Sequence, residues 1–293
     1  MKRNFCKNLA LATGSFVLAL GVLGGGIVFA TASESNHKTA TVNGKSYEYF
    51  ADIKDGYKSL RAGTYVGLTS GSAQAGLMGA LPRVYDSNDY LYSSAKEWSY
   101  SGERTVGMNI PTFAEHNGSY YSYGKVKLYN GNGYNTYYTY KSPIMTLEDG
   151  SKSTLSYTSM TPENNEVVNI NEASTSLDNS EYKVNSNGET YGSGLQEATL
   201  GVAPDLIKAR GSNGALGYVR SKDLEPEEAN NPEEAIKKQK EKQKNKDTKK
   251  IPLYELDGKT VIGEFVLESV NTEDIVETEE TEETEETEET EEK

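Results

Sequence analysis

The sequence predicts a mainly β protein: an antiparallel β-sandwich or barrel domain, then a small α+β domain and a disordered acidic tail. Three observations carry that expectation. The chain holds 21 Tyr and 28 Gly against six Phe and one Trp, a balance suited to half-buried pleated strands joined by tight turns. Turn signals recur at short spacing between extended runs, with no helical periodicity in the first half. The negative charge is concentrated at one end: residues 268–293 hold 14 acidic residues and one Lys, whereas 33–267 carry a net −4.

Residues 1–32 read as a secretory signal peptide. Lys2, Arg3 and Lys7 form its positive start, and an uncharged apolar run over 9–29 follows. Three glycines at 24–26 break the run before Ala30 and Ala32, a small-x-small site that places cleavage before Ser33. The apolar run is also long enough to stay as a transmembrane helix and anchor the chain. On either reading the rest of the protein is secreted or lies on the extracellular face of the cell envelope, and contact with a membrane is expected only through this segment. The single cysteine, Cys6, lies inside it, so the exported part folds without disulfides.

Residues 37–148 are expected to form the Tyr-rich antiparallel domain. "TATVNGKSYEYFADI" is a hairpin turning at Asn43-Gly44. Two extended runs flank Asp86-Ser87-Asn88-Asp89, and "ERTVGMNIPTF" is another. "SYYSYGKVKLYNGNGYNTYYTYKSPIMTL" reads as one long hairpin around Asn130-Gly131-Asn132-Gly133.

Residues 149–184 are polar and read as a linker. Residues 185–267 give a small β domain with one solvated helix over 232–244. "DLIKARGSNGALGYVRSKDL" is its first hairpin. The helix is signalled by Asn231 as cap, Pro232 at the first turn and Glu234 in a box-like position; Ile236 is its sole sizeable apolar side chain. "KIPLYELDGKTVIGEFVLE" is a second hairpin turning at Asp257-Gly258, which sets Tyr254 opposite Val261 and Leu253 opposite Ile262. Both of its faces are apolar, so it should dock on the hairpin before it. The five Thr-Glu-Glu triplets over 278–292 fit neither helix nor strand period and add no apolar group, so 268–293 is expected to be a solvated spacer.

"YGSGLQEATLGVAPDLIKARGSNGALGYVRSKDLEPEEANNPEEAI" and "IPLYELDGKTVIGEF" resemble a C-terminal segment of uncharacterised exported and membrane-linked proteins of Gram-positive Firmicutes. The ending "GYVRSKDL" is similar to the last strand of bacterial SH3-like modules, several of which bind cell-wall peptides. The resemblance implies an exported protein of the Gram-positive envelope. It implies no activity.

The residues themselves argue against catalysis. His37 and His116 are the two histidines, no G-x-S-x-G elbow occurs, and the Ser-x-x-Lys matches lack their companion motifs. No cofactor or metal is expected, because the exported part has no thiol or His pair and Asp86-Ser87-Asn88-Asp89 lacks the rest of a calcium loop. The near-neutral body excludes a nucleic-acid binder. The best candidate surface is the hairpin over 120–141. There Tyr121, Tyr123, Lys125, Lys127 and Tyr129 share a face with Tyr134, Tyr138 and Tyr140, and Val126, Leu128 and Tyr137 point away. An exposed aromatic and cationic face would suit peptidoglycan or teichoic acid; the same face would equally serve to pack against another sheet. The expected function is therefore non-catalytic binding at the wall or surface. The alternative is a secreted bacteriocin-like or toxin-like effector, or its immunity partner.

Overall fold

A computed structural model describes residues 33–102, 105–148, 152–156, 181–242, 247–270 and 276–279, all within one unit, Thr31–Lys293. The signal segment, with Ala30 and Ala32, lies outside the described residues, as do 157–180 of the expected linker and 280–293 of the tail. The fold is mainly β, with several antiparallel sheets and few short helices. Strands β1 (Ser33–Glu34), β2 (Lys38–Val42), β3 (Lys45–Asp55) and β4 (Leu60–Leu68) come first. Next are β5 (Met78–Leu81), β6 (Arg83–Asp86), β7 (Leu91–Ala95), β8 (Ser99–Tyr100) and β9 (Thr105–Ala114). After them run β10 (Gly118–Ser122), β11 (Lys125–Tyr129), β12 (Tyr134–Tyr138), β13 (Ile144–Glu148) and β14 (Lys152–Ser156). The later chain adds β15 (Lys183–Val184), β16 (Thr190–Gly192), α1 (Glu197–Leu200), β17 (Leu206–Arg210) and β18 (Leu216–Arg220). It ends with α2 (Ser221–Leu224), α3 (Pro232–Lys242), β19 (Lys249–Tyr254), β20 (Val261–Glu268) and β21 (Val276–Glu279).

One sheet runs β1-β3-β4-β9-β21, with β2 paired on β3. The Asn43-Gly44 turn between β2 and β3 has positive φ at both residues (51° and 73°), the geometry that the Asn-Gly signal specifies. A second sheet, β12-β11-β5-β8, and part of a third are two arms of one bent ribbon. The chain crosses between them twice, at Pro82 and at Tyr123-Gly124, and the Tyr123 N–H donates to the Arg83 carbonyl (3.0 Å) at the crossing. Glycine is required there: a Cβ on Gly124 would lie 1.9 Å from the Thr64 hydroxyl on β4.

Alternation along this ribbon decides what each side chain meets. Val84, Val126 and Leu128 pack towards β3, β4 and β9. Arg83, Tyr85, Lys125 and Lys127 take the other face, and the second half of the chain covers it.

The third sheet is where the halves join. Its order is β14-β13-β10-β6-β7-β20-β19-β18-β17-β16-β15, and β7 also pairs with β17. Strand β7 lies parallel to both β20 (Leu267↔Ser94) and β17 (Ala209↔Leu91), so β7, β20, β19, β18 and β17 close a ring. Leu91 of the first half shares one buried cluster with Ile207, Val219, Leu253, Phe265 and Leu267 of the second. The segments 37–148 and 185–267 are therefore joined through hydrogen-bonded strands and common core.

The hairpin β19–β20 docks on the hairpin β17–β18 as the apolar faces demand, through Tyr218↔Tyr254. Tyr254 lies opposite Val261, as expected, but a bulge beside Leu253 moves that residue opposite Gly263 instead of Ile262. Helix α3 is capped as its sequence indicates. The Asn231 side-chain oxygen accepts the Glu234 N–H (2.9 Å), and the Glu234 carboxylate accepts the Asn230 N–H (3.0 Å). The helix is less solvated than expected: Ala235 is fully buried beside Trp98 and Tyr100, and Gln239 accepts the Tyr100 N–H (2.6 Å). Its small residue, not Ile236, makes the close contact. Among the described residues no helix is long and apolar enough to cross a membrane.

The tail also differs from expectation. Glu268 pairs with Ala95 on β7, and β21 pairs antiparallel with the edge of β9. The charge pattern concealed this, because a strand at an edge needs backbone hydrogen bonds more than apolar side chains. Truncation after residue 275 is expected to lower the thermal midpoint by roughly 2–4 °C, about 1 kcal/mol, while truncation after 279 leaves it unchanged. Equal midpoints in a melting experiment would show that β21 contributes nothing.

Candidate functional site

The face predicted over 120–141 has the expected register but not the expected exposure. Lys125 lies opposite Tyr138, Lys127 opposite Thr136 and Tyr129 opposite Tyr134, so the alternation is as read. However, β10 and β11 enter different sheets, and Tyr121, Tyr123, Lys125 and Lys127 are all buried. The Tyr121 hydroxyl donates to Asp89 (2.5 Å), and Tyr123 joins the core shared by both halves. Tyr129, Tyr134, Tyr138 and Tyr140 are half-buried; the Tyr134 hydroxyl donates to the Gly76 carbonyl (2.5 Å), and Lys38 stacks on Tyr140 at 4.1 Å. This face is internal contact, not a free binding surface.

Its cover is a set of carboxylates from the second half. Glu225 meets both Arg83 (2.7 Å) and Lys125 (2.8 Å), and Glu197 meets Lys125 (2.8 Å). Glu228 meets Lys127 (2.6 Å), whose ammonium also lies 4.7 Å from the Trp98 ring. Burial alone would raise the Glu225 carboxyl, but Arg83 and Lys125 outweigh it and hold the group down at about 2. Burial pulls both lysines below their ordinary range. Cations in this position have been matched from within the molecule, which makes the cluster a latch between halves.

A different group of residues lines an open cleft. A cleft of about 450 Å³ lies at the seam of the two halves, within the size range of small-ligand sites. Its floor and walls come from β6, β7, the β9–β10 turn and β10 on one side. The β17–β18 turn and the end of β20 supply the other. Tyr92 and Tyr120 set their rings 4.6 Å apart. The Tyr92 hydroxyl pairs with His116 Nδ1 (2.5 Å) and accepts the His116 N–H (3.2 Å), which holds the turn against the ring. Burial raises the Tyr92 and Tyr120 hydroxyl pKa values, so both are neutral donors at physiological pH.

Beside them, Arg210 of the second half donates to Asp86 (2.8 Å), whose other oxygen accepts the Asn88 and Tyr90 N–H groups. Glu115 is exposed and Glu268 half-buried in the same cleft. Tyr120 is buried in the core behind it, so Tyr92 is the ring that the cleft presents. A ring beside planar polar groups suits a saccharide: the ring covers a C–H face and the polar groups address its hydroxyls. Among the described residues no group of three or more His, Cys, Asp or Glu could hold a metal ion.

Sequence reasoning gave His116 no role and placed Glu268 in the tail. Nothing local joins them; the parallel pairing of β20 with β7 does. No family model, curated protein or solved structure matches this chain.

Proposed function

We propose that this protein is a non-catalytic binding protein of a Gram-positive cell envelope, exported by its N-terminal segment, and that its cleft holds a saccharide unit of a wall polymer. The observation that carries the reading is the cleft itself, where Tyr92 and Asp86 of the first half share the lining with Arg210 and Glu268 of the second. The N-terminal signal pattern and the resemblance to exported Firmicutes proteins support the compartment. The ring of strands that contains "GYVRSKDL" supports a binding module, since that text forms β18 and the turn of helix after it.

The test is retention of the protein on purified peptidoglycan and on teichoic acid. Binding to one of them is expected, and Tyr92→Ala should weaken it about tenfold, or about 1.4 kcal/mol. Absence of retention on both, or unchanged retention of folded Tyr92→Ala, would sink the proposal.

A further inference from the structure

We infer that Asn132 is a site of spontaneous covalent modification, where the chain converts its own side-chain amide to aspartate and isoaspartate. Asn-Gly pairs begin at Asn43, Asn117, Asn130, Asn132, Asn187 and Asn213. In such a pair the glycine nitrogen can reach the Asn side-chain carbonyl carbon, because no side chain on the next residue obstructs the approach. A C–N bond forms, the bond to the side-chain amide nitrogen breaks, and ammonia leaves a five-membered succinimide. Water then opens the ring at one carbonyl or the other, giving aspartate or isoaspartate.

The reaction needs a side chain free to turn and a glycine N–H free of hydrogen bonds. The fold withholds one or both at most of these positions. Asn187 donates to the Asp257 carbonyl (2.8 Å) and accepts from Lys259 (2.9 Å), and the Gly188 N–H is bound to the Asn185 carbonyl (3.1 Å). Asn213 accepts the Ala215 N–H (3.0 Å) and donates to the Ile262 carbonyl (3.3 Å), and the Gly214 N–H is bound to the Gly211 carbonyl (2.9 Å). Asn130 accepts the Asn132 N–H (2.9 Å) and donates to Asn135 (2.7 Å). Gly118 belongs to β10 and pairs with Leu147 of β13. Asn43 keeps one long contact, to the Tyr129 carbonyl (3.5 Å).

Asn132 meets both requirements. Its side chain is exposed and has no hydrogen-bond partner among the described residues, and the same is true of the Gly133 N–H. The space beside Gly133 is open, since a Cβ there would meet nothing within 4 Å. Conversion places a carboxylate at the tip of the β11–β12 hairpin. Isoaspartate also lengthens the backbone next to the Tyr129–Tyr134 pair that begins the ladder.

The test is incubation of the whole protein in warm neutral buffer, with the acid formed at each Asn-Gly pair followed by peptide mapping and mass spectrometry. Asn132 is expected to convert about tenfold faster than Asn130, Asn187 or Asn213, a barrier difference of about 1.4 kcal/mol. In urea the rates should converge, because the dipeptide is the same at every position. Equal rates in the folded protein, or a faster reaction at any of those three, overturns the inference. So does a ranking that urea leaves unchanged, since local sequence and not the fold would then set it. Asn132→Gln, whose longer side chain cannot close the five-membered ring, should remove most of the isoaspartate that accumulates. An undiminished yield from that variant would place the reaction elsewhere.

Discussion

Glu225→Ala is expected to destabilise the protein by about 3–5 kcal/mol, because it leaves two buried cations without their shared partner. Arg83 is 1% exposed and Lys125 is 4% exposed, so in the folded protein both cations rely on that carboxylate rather than on water. Glu197 still reaches Lys125, but Arg83 has no second ion pair among the described residues. Trp98, the single tryptophan, is buried beside Lys127 and gives a local probe of the same latch. Denaturant unfolding followed by its fluorescence should show the loss. A change below about 1 kcal/mol would mean that the cations find water or another partner, and the latch would be dispensable.

Acid gives an independent reading of the same group. The folded Glu225 carboxyl sits at about 2, against an ordinary 4.5. Its contribution is present above the unfolded value and is lost as pH falls through about 2. Glu225→Gln keeps the shape and removes this titration, so its stability should fall less steeply than wild type between those limits. Parallel acid profiles would assign the slope to other carboxylates.

Phe265→Ala should cost about 3–5 kcal/mol, and the loss should be felt in both halves of the chain. Phe265 is 1% exposed on β20, opposite Ile251, in the cluster that includes Leu91 of the first half. Trp98 belongs to a different cluster, formed with Leu81, Tyr100, Ala229 and Ala235. Since β20 pairs with β7, the fluorescence midpoint and the circular dichroism midpoint should move together. A dichroism transition that shifts while Trp98 stays put would show that 185–267 unfolds on its own. Phe265→Leu provides the milder comparison if the alanine variant does not accumulate.

The parts legible from sequence share a short range. Asn43-Gly44 specified its turn because both residues must take positive φ, and Asn is among the few side chains that tolerate it. Asn231, Pro232 and Glu234 marked the start of α3 because the unpaired N–H groups of a first turn are met within four residues. The alternation along β11 and β12 was readable because a strand has a period of two. One bulge beside Leu253 was enough to spoil the register beyond it, and no local residue type announced it.

What the sequence by itself determined is the mainly β class, the separation of charge from body to tail, and which side chains along a strand share a face. Only the tertiary structure decided what each face meets. Lys125 and Lys127 on an aromatic strand look like a ligand surface until Glu225 and Glu228, about a hundred residues later, arrive to neutralise them. Glu115 and Glu268 look like unrelated surface charges until β20 lies down beside β7. The physical reason is the same in both cases. Turns and periodicity are set by neighbours in the chain, whereas burial and charge balance depend on which distant segment excludes the water.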